Sequence, residues 1–201
     1  MRLANFALAL VCVGSPLVVT AQRARWQAQE RIDRRALAQA ESYSGDRFDY
    51  FTETPRGAHV AALSRPRAEM LNAIDDGLTQ LFAVARRNNY SARLNYSDYT
   101  IFIARADRTK DSTGAYSPDI AVGAAQYKGS VYDKGGYVYA AGIVSSFEPC
   151  AFVIAEHDRD FGRVANVVRY EGEHLVLYHN DRRRFQQTYD HSHGGSHPIL
   201  Q

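Results

Sequence analysis

Cysteine is almost missing from this chain. Cys12 and Cys150 are the two thiols in 201 residues, and Cys12 lies inside an N-terminal apolar run. If that run is removed, one thiol is left, which excludes an intramolecular disulfide and the clustered spacings of a zinc finger. Stability must then come from packing, and a chain of this length can build one sizeable core. An excess of either charge is lacking too. Lys and Arg number 24 against 22 Asp and Glu, a net charge of +2, too balanced for a nucleic-acid surface. Neither a Gly-x-Ser-x-Gly elbow nor a phosphate-cradling glycine loop is present. A Ser/His/Asp hydrolase thus loses its strongest signature without being excluded.

What is present begins with an address. Met1-Arg2 is a short basic start to the run 3–19, which Gly14-Ser15-Pro16 interrupts. Val19-Thr20-Ala21 supplies small residues where a signal peptidase reads, so 1–21 is expected to be a signal peptide. The run is a few residues short of a comfortable membrane span. An uncleaved anchor is the alternative; otherwise no membrane span follows processing, and the protein is secreted or periplasmic. Leu10-Val11 precede Cys12 where a lipoprotein wants small residues.

Residues 22–63 read as an N-terminal arm and irregular segment. Ala, Arg, Gln and Glu over 23–42 suit a helix or a frayed arm, with little apolar content for a core element. Turn formers such as Ser44-Gly45-Asp46, Thr54-Pro55 and Arg56-Gly57 mark 43–63 as turns and irregular chain. Residues 64–201 form the expected globular domain with a histidine-rich tail. Ser64-Arg65-Pro66 is a helix start signal. Leu71, Ile74, Leu78, Leu81, Phe82 and Ala85 then draw one apolar stripe that ends at Arg86-Arg87 and Asn88-Asn89. The spacing predicts a helix over 65–88. Strands are predicted at 99–106, 119–127, 135–147 and 150–156, and a second long helix over 160–180. The fold class is α+β: a mostly antiparallel sheet of about four strands packed with two long helices. Cys150 opens the apolar run of the last strand and is expected to be a buried, inert thiol.

Chemistry gathers in "VVRYEGEHLVLYHNDRRR", residues 167–184. On a helix Glu171, His174, Tyr178 and Asp181 share one face. Glu173 points away from that face and is expected to be a solvated carboxylate. A Glu-x-x-His pair can hold a cation or place a base beside a ligand. It can also be an ordinary hydrogen-bonded pair beneath a loop. His174, His179, His191, His193 and His197 are five of the seven histidines, and all lie in the last 28 residues. Taken alone, the tail histidines fit a loosely metal-avid, disordered end. Beside a helical carboxylate, their clustering makes metal the simplest common cause. Asn89-Tyr90-Ser91 and Asn95-Tyr96-Ser97 match the glycosylation pattern, which chance also produces.

Tyr170-Glu171-Gly172-Glu173-His174 resembles the His-Glu-x-x-His helix of the zincin metallopeptidases, with tyrosine at the first ligand position. The order of elements over roughly 64–181 is similar to that family as well. There a helix and a twisted sheet, whose edge strand bounds the cleft, precede the metal-binding helix. The resemblance implies Glu171 as general base, His174 as a zinc ligand and a peptide or protein as substrate. Tyr170 is a poor substitute ligand, since its phenol ionises only near pH about 10. The missing imidazole would come from the tail: His197 by preference, because Gly194-Gly195 lets the chain turn back before it, or His191 or His193. In a variant of this arrangement Glu171 is itself a ligand and the obvious base is lost. The expectation is an exported zincin-like hydrolase, working or catalytically degenerate. The alternative is a non-catalytic secreted or envelope protein with a structural metal site or none.

Overall fold

The computed structural model describes residues 27–104, 142–155, 160–189 and 197–201. The expected signal peptide, the strand at 119–127, the first part of the strand at 135–147, and His191 and His193 lie outside the described residues.

Helix α1 spans Arg34–Ser44. Asp33 caps it by accepting from the backbone N–H groups of Arg35 and Ala36, and Gly45 ends it at φ 69°, where a side chain would be strained. Strands β1 (Tyr50–Glu53) and β2 (His59–Ala62) follow. They form a hairpin closed by Thr54, whose backbone N–H and hydroxyl both bond Ala58. Helix α2 spans Ala68–Arg87 and leads to β3 (Tyr99–Ala104). Strands β4 (Gly142–Ser146) and β5 (Cys150–Ala155) form a second hairpin. Helix α3, Phe161–Asn180, begins at Asp160, which caps the N–H of Arg163. Asp181 breaks the helix and at once caps α4, Arg182–Thr188, through the N–H of Arg184.

The fold is α+β, with five strands in the order β1-β2-β3-β5-β4. The expected four-stranded, mostly antiparallel sheet is matched only in outline. The two outer pairings, β1–β2 and β4–β5, are antiparallel, while β2–β3 and β3–β5 are parallel. The reason is connection length. Short turns return the chain antiparallel, whereas the long crossover through α2 brings β3 back alongside β2 in the same direction. Residues 43–63, which read as irregular, supply the extra hairpin. The turn formers are real, and four-residue strands fit between them.

Both faces of the sheet are covered, so the central strands are apolar throughout rather than alternating: every residue of β3 and β5 is buried. Tyr99, Ile101, Ile103, Cys150, Phe152 and Ile154 face α2 and α3. Phe102, Ala104, Ala151 and Val153 pack with Ile32, Ala36, Ala40 and Phe48 of the N-terminal segment. That segment is a core element, despite its modest apolar content. Ala36 and Ala40 are small enough to seat α1 close to the strands, and both are fully buried.

Helices α2 and α3 lie side by side because two glycines permit it. A Cβ on Gly77 would stand 2.5 Å from the Ala165 carbonyl oxygen and 2.7 Å from the Val168 Cβ, and one on Gly172 would collide with Leu81. Helix propensity alone favours Gly77→Ala by about 1 kcal/mol. The clash is with backbone and a β-branched side chain, neither of which can swing aside, and overpacking costs about 1–3 kcal/mol. Urea denaturation of Gly77→Ala is expected to show a net loss of up to about 2 kcal/mol. A net gain would mean the helices are not in this contact.

Candidate functional site

Helix α3 is buried nearly all round: toward the sheet, toward α2 through Gly172, and on a third side by the end of the chain. Residues 197–201 return to α3 and are tied down at several points. Arg169 Nη2 donates to the Leu200 carbonyl at 3.1 Å, and Arg184 Nη2 to that of Ile199 at 2.7 Å. Asn88 Nδ2 of the α2 terminus donates to the Gln201 carbonyl at 3.0 Å. The Leu200 side chain is fully buried in the main core.

At the centre of this return is Glu173. The expected solvated carboxylate is wholly buried. Its Oε2 accepts from the Ile199 N–H at 2.7 Å and lies 3.0 Å from His197 Nδ1. Its Oε1 lies 3.3 Å from Arg169 Nη2, one turn back on the same helix. The difference has a geometric cause: the helix face away from Glu171 is covered by residues 197–200 rather than by water. A signal was present in the sequence. Arg169 and Glu173 are spaced i, i+4, and Ile199-Leu200 is an apolar pair that needs a place to bury.

The clasp sets His197 against the neighbouring face of α3. Its ring centroid is 4.9 Å from that of His174, edge to face at 84°. It stacks on Tyr170 at 5.3 Å and 22°. Arg169 also lies over the phenol, its Cζ 5.0 Å from the ring centroid. Tyr170, at the position where a zincin carries its first histidine, thus serves as a platform for an imidazole from elsewhere in the chain. His174 is itself buried.

Glu171 lies one turn before His174 and against the edge strand. A Cβ on Gly142 of β4 would be 2.7 Å from its Cγ, so a bare backbone at that point makes room for the carboxylate stem. The residue keeps some exposure, but its carboxyl is densely surrounded. Burial pushes its pKa up from 4.5 to about 7; His197 opposes the rise and the negative charge of Glu173 adds to it.

The other residues of the predicted face go elsewhere. Tyr178 stacks on Phe147 at 4.3 Å and meets Phe185 edge-on. Asp181 caps α4 and lies 3.2 Å from the Tyr90 hydroxyl. The nearby His179 has Nε2 2.7 Å from the Phe147 carbonyl. The Cys150 thiol is fully buried and its pKa is pushed up to about 12, chiefly by burial, which suits an inert thiol.

Two imidazoles and a carboxylate have the donor chemistry that zinc takes, and His197 carries the carboxylate partner that ligating histidines commonly have on their second nitrogen. Among the described residues, no three or more His, Cys, Asp or Glu side chains are gathered so as to hold an ion. No protein-family model, curated protein or solved structure matches the chain.

Glu171 makes stability depend on pH in a calculable direction. Its folded value lies above its unfolded one, so between them the native state holds more proton. Its contribution is complete below about pH 4.5 and is lost as pH rises through about 7. Urea denaturation of the metal-free protein across that range is expected to show stability falling more steeply than in Glu171→Gln. Parallel profiles for the two proteins would show that the carboxyl is solvated.

Proposed function

We propose that the chain is an exported, zincin-like metal-dependent hydrolase acting on peptide bonds. Its centre is assembled from Glu171 and His174 of α3 and His197 of the returning tail. The observation that carries this reading is the 4.9 Å approach of His197 to His174, held from behind by a buried carboxylate. The resemblance in element order is supported by α2, the mixed sheet, the antiparallel edge strand β4 beside Glu171, and α3.

In this reading His174 and His197 supply the nitrogen donors. Glu173 holds Nδ1 of His197, so the nitrogen that would ligate is Nε2. Tyr170 fixes the plane of that ring. The third donor is Glu171 turning toward the imidazoles, or His191 or His193 from the preceding stretch of tail. When bound, zinc polarises a scissile carbonyl and makes water a stronger acid. If a tail histidine is the third donor, Glu171 is left as the base. A carboxyl with a pKa of about 7 is well matched to moving a proton near neutrality.

A second reading rests on the same clasp. Glu173 binds the Ile199 N–H as well as His197, and Arg169 and Arg184 bind the next carbonyls, so the tail is built as a closure of the fold. A non-catalytic exported protein would need nothing more of these residues.

Elemental analysis of the tag-free mature protein, with a casein hydrolysis assay, separates the two. The hydrolase reading expects about one zinc per chain, lost in His174→Ala and in His197→Ala. It also expects Glu171→Gln to retain zinc while hydrolysis falls about 100-fold or more. Zinc lost along with activity in Glu171→Gln makes Glu171 a ligand. Absence of both zinc and hydrolysis from the wild-type protein leaves the structural closure as the function of the cluster.

A further inference from the structure

A concave site lies away from the residues of that cluster, where the β1–β2 turn, α2 and the chain leading into β3 meet. It is a groove of about 540 Å³, lined by Arg56, Thr79, Phe82, Arg86, Leu94 and Tyr96 among others. No aspartate or glutamate lines it. Among the described residues no carboxylate is within ion-pair distance of either guanidinium. Two guanidinium side chains lining one concavity that no acid lines give it a positive potential that favours an anion.

Arg56 is also prepared for such a role. It sits in the turn closed by Thr54, and its backbone N–H donates at 2.9 Å to Oδ2 of buried Asp75. Its Nη1 donates to the Tyr96 hydroxyl at 3.0 Å, and its Cζ stands 5.5 Å from the centre of that ring. The Tyr96 hydroxyl is 2.8 Å from that of Thr79, and its ring meets buried Phe82 edge-on at 5.2 Å. A long side chain at an exposed turn ordinarily loses much rotamer entropy on binding a ligand. Here much of that ordering is already done, and one of five guanidinium N–H donors is engaged by the phenol.

We infer that this groove binds a small oxyanion, a phosphate or carboxylate group, clamped between the Arg56 and Arg86 guanidiniums. The Thr79 hydroxyl donates to the Asp75 carbonyl at 2.6 Å and accepts from Tyr96, so these two hydroxyls hold Arg56 in place at the groove's edge. Buried Phe82 and Leu94 give the floor an apolar part, which suits an anion carried on an organic body. Guanidinium matches both oxyanions through paired N–H donors and stays charged at any ordinary pH.

The test is titration of the mature protein with inorganic phosphate and, separately, with benzoate, followed by backbone amide NMR shifts. Saturable shifts confined to Arg56, Thr79, Arg86, Tyr96 and their neighbours are expected with at least one probe. Phosphate alone would assign the phosphate class, and benzoate alone the organic carboxylates. Arg56→Ala and Arg86→Ala should each weaken binding about tenfold. Arg86→Lys, which keeps the charge but loses the fork, should weaken it as well. Arg35→Ala removes the same charge from α1 and should change nothing. Arg86→Lys leaves the β1–β2 turn intact, so it decides the matter even if Arg56→Ala unfolds. Shifts that never saturate, equal weakening in Arg35→Ala, or full affinity in both Arg86 variants would overturn the site.

Discussion

A carboxylate with no exposure to water must find donors or cost several kcal/mol; Oε2 of Glu173 finds them in residues 197–199, and Oε1 has the Arg169 guanidinium 3.3 Å away. That requirement organises this side of the molecule. It fixes where residues 197–199 lie, because the Ile199 N–H and the His197 ring are what Oε2 accepts from or faces. It explains the neighbouring arginines as well: Arg169 and Arg184 satisfy carbonyls that the returning segment brings with it. Removing one partner would leave the others buried and unmatched, so the closure behaves as a unit.

The scaffold beneath it is a three-layer arrangement whose central strands are apolar on both faces. Gly77 and Gly172 let α3 approach α2, Gly142 lets Glu171 approach β4, and the chain end covers what remains of α3. The functional reading depends on this sequence of close approaches. A helix exposed on one side would present Glu171 and His174 to water as a surface pair. Enclosed as it is, the same pair has a raised carboxyl pKa and a second imidazole within ring contact.

The sequence disclosed those features that repeat along a short stretch. The stripe from Leu71 to Ala85 marks α2, which starts three residues later than expected and ends one earlier, and the runs at 99–106 and 150–156 cover β3 and β5 as far as the described residues go. Gly194-Gly195 points to His197 as the tail histidine able to turn back, and its ring lies 4.9 Å from that of His174. What was hidden depends on partners distant in the chain. The direction of β3 against β2 is set by how α2 crosses over. The burial of α1 rests on Ala36 and Ala40, whose small size reads as weak apolarity until a sheet lies against them. Glu173 reads as a solvent-facing residue because nothing within a helix says that its outer face is roofed by residues 24 to 26 positions later. The groove at Arg56 joins a turn to residues 23 to 41 positions further on, and has no motif.

The central claim is that the chain end is clasped on Glu173 with His197 against His174. The most direct measurement is proton NMR of the two imidazoles in the mature protein. The account predicts cross-relaxation between the ring protons of His197 and His174. It also predicts a slowly exchanging Ile199 amide, shifted downfield by its carboxylate bond. Sharp, solvent-like His197 signals with no cross-relaxation to His174, together with rapid exchange at Ile199, would contradict it.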